Sequence, residues 1–278
     1  MVNYDSIYFD SITALGAHCD RLQQNNRDRK YGTASTASDD SAFYGGWSFK
    51  KALECAQNGG GWQKGAEMMP RVHVPNLTLK GRAIDTPYVD SDVVGFAPNV
   101  PAYINGVPDS MLSFNEAPQG NKLLRVAVAV GRCASTKQKH VLNRGAAIMA
   151  VLDQLSRDGY SIELWALWRN SNDGKGVSIE TCVKHGTDVW SPESIAMALC
   201  HVSFQRRLCW RVAESIEGQN HGASITRSSY GNGYATEYDD FDLSFGYVKS
   251  PDLTGLNHID TAIEAVKTVV IEQLKEAA

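Results

Sequence analysis

A continuous apolar run at residues 124–130 constrains the fold of this chain more than any other feature. The run reads Leu-Arg-Val-Ala-Val-Ala-Val and ends at Gly131. A half-exposed strand alternates apolar and polar side chains, whereas a strand buried on both faces of a sheet reads as nearly continuous apolar sequence. The run therefore predicts a central strand that is covered on both faces.

The elements after this strand repeat a strand–helix pattern. An amphipathic helix is predicted from about residue 140 to residue 157, and a strand at residues 161–168 completes a βαβ unit. Further strands and helices are predicted at residues 177–183, 191–216, 241–248 and 257–275. The pattern indicates an α/β fold with a doubly wound, mostly parallel sheet in the C-terminal half.

The N-terminal part of the chain has weaker periodicity. A helix is predicted over residues 9–24, capped by Asp10 or Ser11. A second helix is predicted over residues 47–56, with Ser48 as its cap, and a short third helix ends at Pro70.

Prolines are frequent and periodicity is low between residues 71 and 119, where short strands are predicted at 72–74 and 93–96. This segment is typical of a folded connection wrapped over a core. We predict an irregular helical region at residues 1–120, packed on an α/β region at residues 121–278, with both in one compact unit.

Charge and hydropathy restrict the possible partners. The formal net charge of −4 provides no global basic field, so any nucleic-acid binding has to come from a local patch. No apolar run reaches the roughly 18 residues that span a bilayer, and the first residues lack the basic and apolar segments of a secretion signal. We therefore predict a cytoplasmic protein without a membrane partner.

Motifs for catalysis and for metal or cofactor binding are absent from the sequence. It contains no G-x-S-x-G elbow, no His-Glu-x-x-His and no glycine-rich phosphate or dinucleotide loop. The six cysteines form neither a Cys-x-x-Cys pair nor a cluster at zinc spacing. We predict no enzymatic activity, no metal and no cofactor, with an enzyme of unfamiliar site as the remote alternative.

A first basic cluster follows the central strand. Residues 131–144 contain no acidic residue and carry Arg132, Lys137, Lys139, Arg144 and, when protonated, His140. The N-terminus of a helix offers free amides and a positive dipole, so cations at this position attract phosphate. The alternative is a solvated loop that happens to be basic.

A second basic cluster interleaves cations with aromatic residues. Arg206, Arg207 and Arg211 lie close in sequence to Phe204 and Trp210. Single-strand binders combine guanidinium groups for the backbone with flat rings for the bases. The alternative is an amphipathic helix whose apolar residues face the core.

A third candidate is the glycine-containing stretch at residues 227–234, in which Arg227 and Tyr230 are suited to contacting a nucleic-acid strand. The acidic residues at 237–242 count against a groove that passes directly over them. Such a stretch is equally typical of an ordinary loop.

The order of elements resembles a von Willebrand A-type domain. That family carries an Asp-x-Ser-x-Ser metal motif after its first strand, where this chain has Gly131, Arg132, Cys133, Ala134 and Ser135. Only Ser135 matches, and the carboxylate is missing. The resemblance implies a metal-free module that binds proteins, because a hard cation loses its strongest ligand.

Several stretches resemble an uncharacterised family of phage and prophage proteins. They are Phe9-Asp10-Ser11, residues 47–69, residues 98–111 and Arg144-Gly145-Ala146-Ala147. Within that group the chain is similar to the Drc-type single-stranded-DNA-binding cofactors. The resemblance implies a protein in the host-cell cytoplasm that holds melted promoter DNA and recruits a phage-encoded RNA polymerase.

Two hypotheses follow, and neither fixes the oligomeric state. The first is a single-stranded-DNA-binding transcription cofactor, with contacts from Arg132, Lys137, Lys139, Arg144, Arg206, Arg207, Arg211, Arg227 and Tyr230. The second is a metal-free von Willebrand A-like interaction module, such as a virion component or a chaperone adaptor.

Overall fold

The chain folds into two compact units. The computed structural model describes residues 3–24, 35–36, 42–70, 74, 89–92, 97–108, 110–114, 122–132, 136–172, 175–216, 240–246 and 256–276. The larger unit comprises Met1–Leu77 and Leu123–Ala278, and the smaller one comprises Thr78–Lys122. The N-terminal segment therefore shares a unit with the C-terminal part of the chain.

The strands of the described residues are, in chain order, β1 (Asn3–Phe9), β2 (Val89–Asp92), β3 (Ala97–Pro98), β4 (Met111–Phe114), β5 (Lys122–Ala129), β6 (Tyr160–Asn172), β7 (Lys175–Lys184) and β8 (Leu243–Phe245). The helices are α1 (Ile12–Gln24), α2 (Phe49–Gln57), α3 (Gln63–Met68), α4 (Val100–Ile104), α5 (Gln138–Arg157), α6 (Pro192–Ile195), α7 (Trp210–Glu214) and α8 (Ile259–Glu276). Ala42–Tyr44 form a 3-10 turn, and Ala196–Cys200 and Phe204–Cys209 are π-helical. No helix in these ranges is long and apolar enough to cross a membrane.

The larger unit is built on a five-stranded, mostly parallel sheet with the order β1-β7-β6-β5-β8. β1 pairs in parallel with β7, and β5 pairs in parallel with β8. β6 and β7 form an antiparallel pair with an irregularity between Leu164 and Trp165. The predicted α/β class is confirmed.

The sequence analysis missed the strand β1. Its register runs from Asn3 opposite Lys175 to Phe9 opposite Thr181, so the sheet extends beyond the C-terminal half in which it was predicted. Asp5 and Ser6 interrupt the apolar pattern of this strand, which hid it from a reading based on periodicity.

The apolar run at residues 124–130 forms the centre of the core. Leu124, Val126 and Val128 of β5 are fully buried, and α5 follows the strand with its apolar positions buried along its length. The predicted succession of β5, α5 and β6 is confirmed. β6 lies beside β5 in the sheet.

Side-chain caps begin three of the predicted helices, and at the start of α1 the Oγ of Ser11 accepts a hydrogen bond from the amide of Ala14. Oγ of Ser48 accepts a hydrogen bond from the amide of Lys51, and Oγ of Ser191 accepts one from the amide of Ser194. After Ser191 the helix widens to π geometry, breaks at His201 and continues through a second π-helical segment into α7. The helix predicted over residues 191–216 is therefore interrupted at His201.

The smaller unit contains an antiparallel sheet of order β2-β4-β3 together with α4. The sequence analysis expected a connection wrapped over a core, whereas Thr78–Lys122 form a compact unit of their own. The strands predicted at residues 72–74 and 93–96 lie outside the described residues, apart from Val74, which is not part of a strand.

Gly145 permits a close approach inside the larger unit. A Cβ atom at this position would lie 2.3 Å from Sγ of Cys200. Although glycine weakens a helix, we expect Gly145→Ala to lower the free energy of unfolding by about 1–3 kcal/mol because it overpacks this contact. Urea denaturation measures the change. In a Cys200→Ala background the same substitution should cost much less, and an equal cost in both backgrounds would refute the explanation.

Candidate anion site

The first basic cluster gathers where β5 ends and α5 begins. Arg132 follows β5, Lys137 occupies the N-cap position of α5, and Lys139, His140 and Arg144 lie in the first two turns of the helix. In open α/β sheets, ligands bind in the crevice outside the carboxyl ends of the strands. We call this group of residues the α5 head.

Lys137 and Lys139 provide exposed positive charge at the α5 head. Among the described residues no carboxylate lies within ion-pairing distance of either side chain, in contrast to Arg157 at the other end of α5, which pairs with Asp153. The first turn of α5 has no side-chain cap and no acidic residue. The lysine charges therefore add to the positive end of the helix dipole instead of being neutralised.

Arg132 is a buried cation at the α5 head, with 8% of its surface exposed. Its Nη1 donates to the carbonyl oxygen of Cys200 at 3.0 Å, while its Nη2 has no partner in the described part of the chain. Burial, reinforced by the charge of Arg206, lowers the pKa of Arg132 to about 10. Arg132 thus stays charged at neutral pH without a carboxylate to compensate it, which is costly in the interior.

His140 presents the second unbonded nitrogen of the α5 head. It is 7% exposed, and its Nε2 lies 2.8 Å from Oδ1 of Asn257. A carbonyl oxygen can only accept, so Nε2 carries the hydrogen and Nδ1 of the neutral ring is an acceptor. No donor among the described residues bonds to Nδ1.

A small cavity joins these two side chains. Its volume is about 10 Å³, which is close to the space that one water-sized group needs. The lining residues are Val130, Gly131, Arg132, Thr136, His140, Val141, Arg144, Leu199 and Leu256. Two residues of the cavity lining, Arg132 and His140, therefore each carry an unbonded nitrogen, beside the N-terminus of a 20-residue helix.

Arg144 is the fourth predicted cation at this site, and the sheet already engages it. Its Nη1 donates to the carbonyl of Ala129 at 3.2 Å, and its Nη2 donates to the carbonyls of Phe245 and Gly246 at 3.2 Å and 2.8 Å. These bonds tie together the ends of β5 and β8. Arg144 contributes charge to the cavity wall and fixes the geometry of the two strands.

The second basic cluster lies in the interior. Arg206, Arg207 and Arg211 are all buried. Their guanidinium groups donate to the carbonyls of Phe43, of Trp47 and Ser35, and of Leu22, respectively. Arg206 and Arg207 also stack on the rings of Phe43 and Tyr44, at 3.9 Å and 3.6 Å.

This placement weighs against contacts between these three arginines and a DNA strand. The apolar residues Phe204 and Leu208 are also fully buried, so both faces of the segment are covered by protein. No sequence signal separates a buried arginine from an exposed one, because the carbonyls that bind it come from distant segments. Arg227 and Tyr230 lie outside the described residues.

An open groove of about 550 Å³ runs along the edge strand β1. Tyr8, His18, Arg21 and Trp165 contribute to its lining. Burial, together with the charge of Arg21, lowers the pKa of His18. The sequence analysis did not find this groove because it did not predict β1.

Metal-ligating side chains do not converge in the described part of the chain, where no group of three or more His, Cys, Asp or Glu residues lies close enough to share an ion. Cys133, Ala134 and Ser135, which take the place of the metal motif of von Willebrand A-type domains, lie outside that part.

Comparison with known proteins assigns the chain no activity. A family model for a domain of unknown function matches residues 3–277, which is nearly the whole chain. No curated protein and no solved structure shows significant similarity to it.

Proposed function

The chain belongs to the family described as a domain of unknown function (DUF7192), and we propose that it is a non-enzymatic protein that binds single-stranded DNA. The observation that supports this proposal is the positive charge of Lys137, Lys139 and Arg132 at the α5 head, for which no described carboxylate is an ion-pair partner. Phosphate groups supply the missing negative charge, and DNA carries one phosphate per nucleotide.

The α5 head offers two kinds of contact to a DNA backbone. Lys137 and Lys139 are exposed and can reach phosphates at the surface. Arg132 precedes them in the chain and adds positive charge, although its own surface is mostly covered. Because the net charge of the chain is −4, binding has to rely on a local basic patch of this kind.

We further propose that the protein acts in the host-cell cytoplasm as a transcription cofactor that brings a phage-encoded RNA polymerase to melted promoters. The resemblance to Drc-type cofactors supports this role. Such a cofactor needs a protein contact in addition to a DNA contact.

Fluorescence anisotropy of a labelled strand of about 30 nucleotides, compared with the matching duplex at low and moderate salt, tests the DNA part. We expect the single strand to bind more tightly than the duplex and to weaken as salt rises. An absence of binding at low salt would overturn the proposal.

Removing the two exposed lysines should weaken this binding. In Lys137→Gln/Lys139→Gln we expect about tenfold lower affinity, and the slope of log K against log salt should shrink by about 1.4, because each lost contact with a single strand accounts for about 0.7. Anisotropy titrations at several salt concentrations measure both quantities.

Arg157→Gln is the matched control, since it removes one positive charge from the same helix about 30 Å away from Lys137. We expect it to leave the affinity and the slope nearly unchanged. An equal effect of Arg157→Gln would show that net charge, and not the α5 head, governs binding.

A protein-only interaction module is the second candidate, and one observation favours it. Val100, Tyr103 and Ile104 of α4 and Val107 after it are all exposed, Tyr103 and Ile104 by 72% and 75%. Exposed apolar patches mark interaction surfaces. This candidate predicts no affinity for DNA at any salt concentration, so the anisotropy experiment separates the two.

A further inference from the structure

We propose that the cavity of the α5 head binds a phosphate monoester, the group found on a mononucleotide or at the phosphorylated end of a strand. The inference rests on the proposed function in that it uses the same site, and it adds the chemical identity of the phosphate that enters. The inference predicts that the cavity binds a phosphate monoester in preference to the phosphodiesters inside a strand.

The unbonded nitrogens of the cavity select this group. Nη2 of Arg132 offers hydrogens, and Nδ1 of His140 offers a lone pair in the tautomer whose Nε2 donates to Asn257. A complementary ligand carries both an anionic oxygen and a hydroxyl hydrogen. A phosphate monoester has such a form, because its second proton leaves with a pKa of about 6. A phosphodiester has no such hydrogen.

The surrounding charges favour an anion over a neutral occupant. Arg132 has no carboxylate partner among the described residues, and Arg206 is close enough to lower its pKa through repulsion. The N-terminus of α5 adds a partial positive charge on the same side. A neutral water can satisfy the hydrogen bonds of the cavity, but it leaves this charge uncompensated.

The size of the cavity sets how the ligand enters. About 10 Å³ admits one oxygen-sized group. The phosphate therefore inserts its single hydroxyl oxygen, which accepts from Arg132 and donates to His140, and its anionic oxygens stay near Thr136 and the exposed Lys137. This arrangement suits an end group, because only one side of the phosphate continues into the ligand.

Two small phosphates provide the direct test on the full chain. Methyl phosphate is a monoester and dimethyl phosphate is a diester, and neither carries a base or a sugar. At equal ionic strength and neutral pH we expect millimolar methyl phosphate to raise Tm by about 2–4 °C, while dimethyl phosphate and sulfate leave it unchanged. Equal shifts with all three, or no shift with methyl phosphate, would overturn the proposal.

Substitution of Arg132 by lysine tests the role of the two terminal nitrogens of its guanidinium group. Arg132→Lys keeps the charge but loses the second donor nitrogen, and we expect it to reduce the affinity for methyl phosphate at least tenfold. Arg157→Lys is the matched control and should bind like the wild type.

A measurement on the wild-type protein tests the proposal without any variant. When methyl phosphate and dimethyl phosphate are in the same tube, the protein should broaden the ³¹P signal of methyl phosphate and leave that of dimethyl phosphate unchanged.

Labelled strands separate this inference from the proposed function. If a 5′-phosphorylated and a 5′-hydroxyl strand bind equally and methyl phosphate competes with neither, the DNA-binding proposal stands and the monoester site is refuted. If methyl phosphate binds but no strand does, the monoester site stands and the DNA-binding proposal fails. Tighter binding of the 5′-phosphorylated strand, reversed by methyl phosphate, supports both.

Discussion

Arg207→Met is expected to lower the free energy of unfolding by about 3–5 kcal/mol, because it removes a buried charge-bearing donor from two carbonyl groups. The Arg207 side chain is 0% exposed and donates to the carbonyls of Trp47 and Ser35. Its guanidinium also stacks on the ring of Tyr44 at 3.6 Å. Methionine fills much of the same volume but leaves both carbonyls without a donor.

The loss of stability should be large because Arg207 hydrogen-bonds to residues that are distant in sequence. Ser35, which accepts from Arg207, also donates through its amide and its hydroxyl to Glu214, at 3.0 Å and 2.5 Å. Burial raises the pKa of this carboxyl. Arg207 and Glu214 therefore hold Ser35 from two sides.

Urea denaturation of Arg207→Met measures the loss, and Lys139→Met is the matched control on an exposed position. We expect the control to change stability by less than about 0.5 kcal/mol. A similarly small change for Arg207→Met would contradict the structural role of Arg207. Arg207 would then again be a candidate for contacts with DNA.

The second large effect is a loss of stability at acid pH that depends on His201. This ring is buried between Trp47 and Trp62, with centroids 3.9 Å and 4.4 Å away, and its Nδ1 accepts from the amide of Ser203. Burial, followed by the charges of Arg132 and Lys51, lowers the pKa of His201 to about 3. The folded protein therefore keeps this ring neutral where an unfolded chain protonates it.

The sign of the effect follows from that difference. The unfolded histidine has a pKa of about 6.5. Above that pH both states are neutral at this residue and stability is unaffected. As pH falls from about 6.5 toward 3, only the unfolded chain takes up the proton, so the free energy of unfolding decreases. Between pH 6.5 and pH 4.5 we expect a loss of about 2–3 kcal/mol from this residue, at about 1.4 kcal/mol for each pH unit.

His201→Phe isolates this contribution, since phenylalanine keeps the stacking and cannot be protonated. The variant should be less stable than the wild type at pH 7, because the amide of Ser203 loses its acceptor. Its additional loss on acidification should nevertheless be about 2–3 kcal/mol smaller. Parallel curves for the two proteins between pH 7 and pH 4.5 would show that His201 does not titrate as described.

Sequence patterns predicted the elements whose sequence signal lies within a few residues. The apolar run of β5 and the cap residues Ser48 and Ser191 act within a few residues of their own position, and the structure confirms them. The polar residues of β1 gave no comparable signal, because β7 supplies the hydrogen bonds that make this segment a strand.

The candidate site was predictable in part for the same reason. The cations of residues 131–144 are close in sequence, and the end of a strand places them together. The burial of Arg132 was not predictable, since the carbonyl of Cys200 that binds it lies 68 residues further along the chain. The burial of Arg206 and Arg207 likewise depends on carbonyls more than 150 residues away.

A salt titration of single-stranded DNA binding tests the central claim most directly. The wild-type protein and Lys137→Gln/Lys139→Gln would be titrated with the same labelled strand between about 50 mM and 200 mM salt. The account predicts binding by the wild type that weakens as salt rises, and weaker binding with a smaller salt dependence in the variant. Identical curves for the two proteins, or no binding by the wild type at the lowest salt, would contradict it.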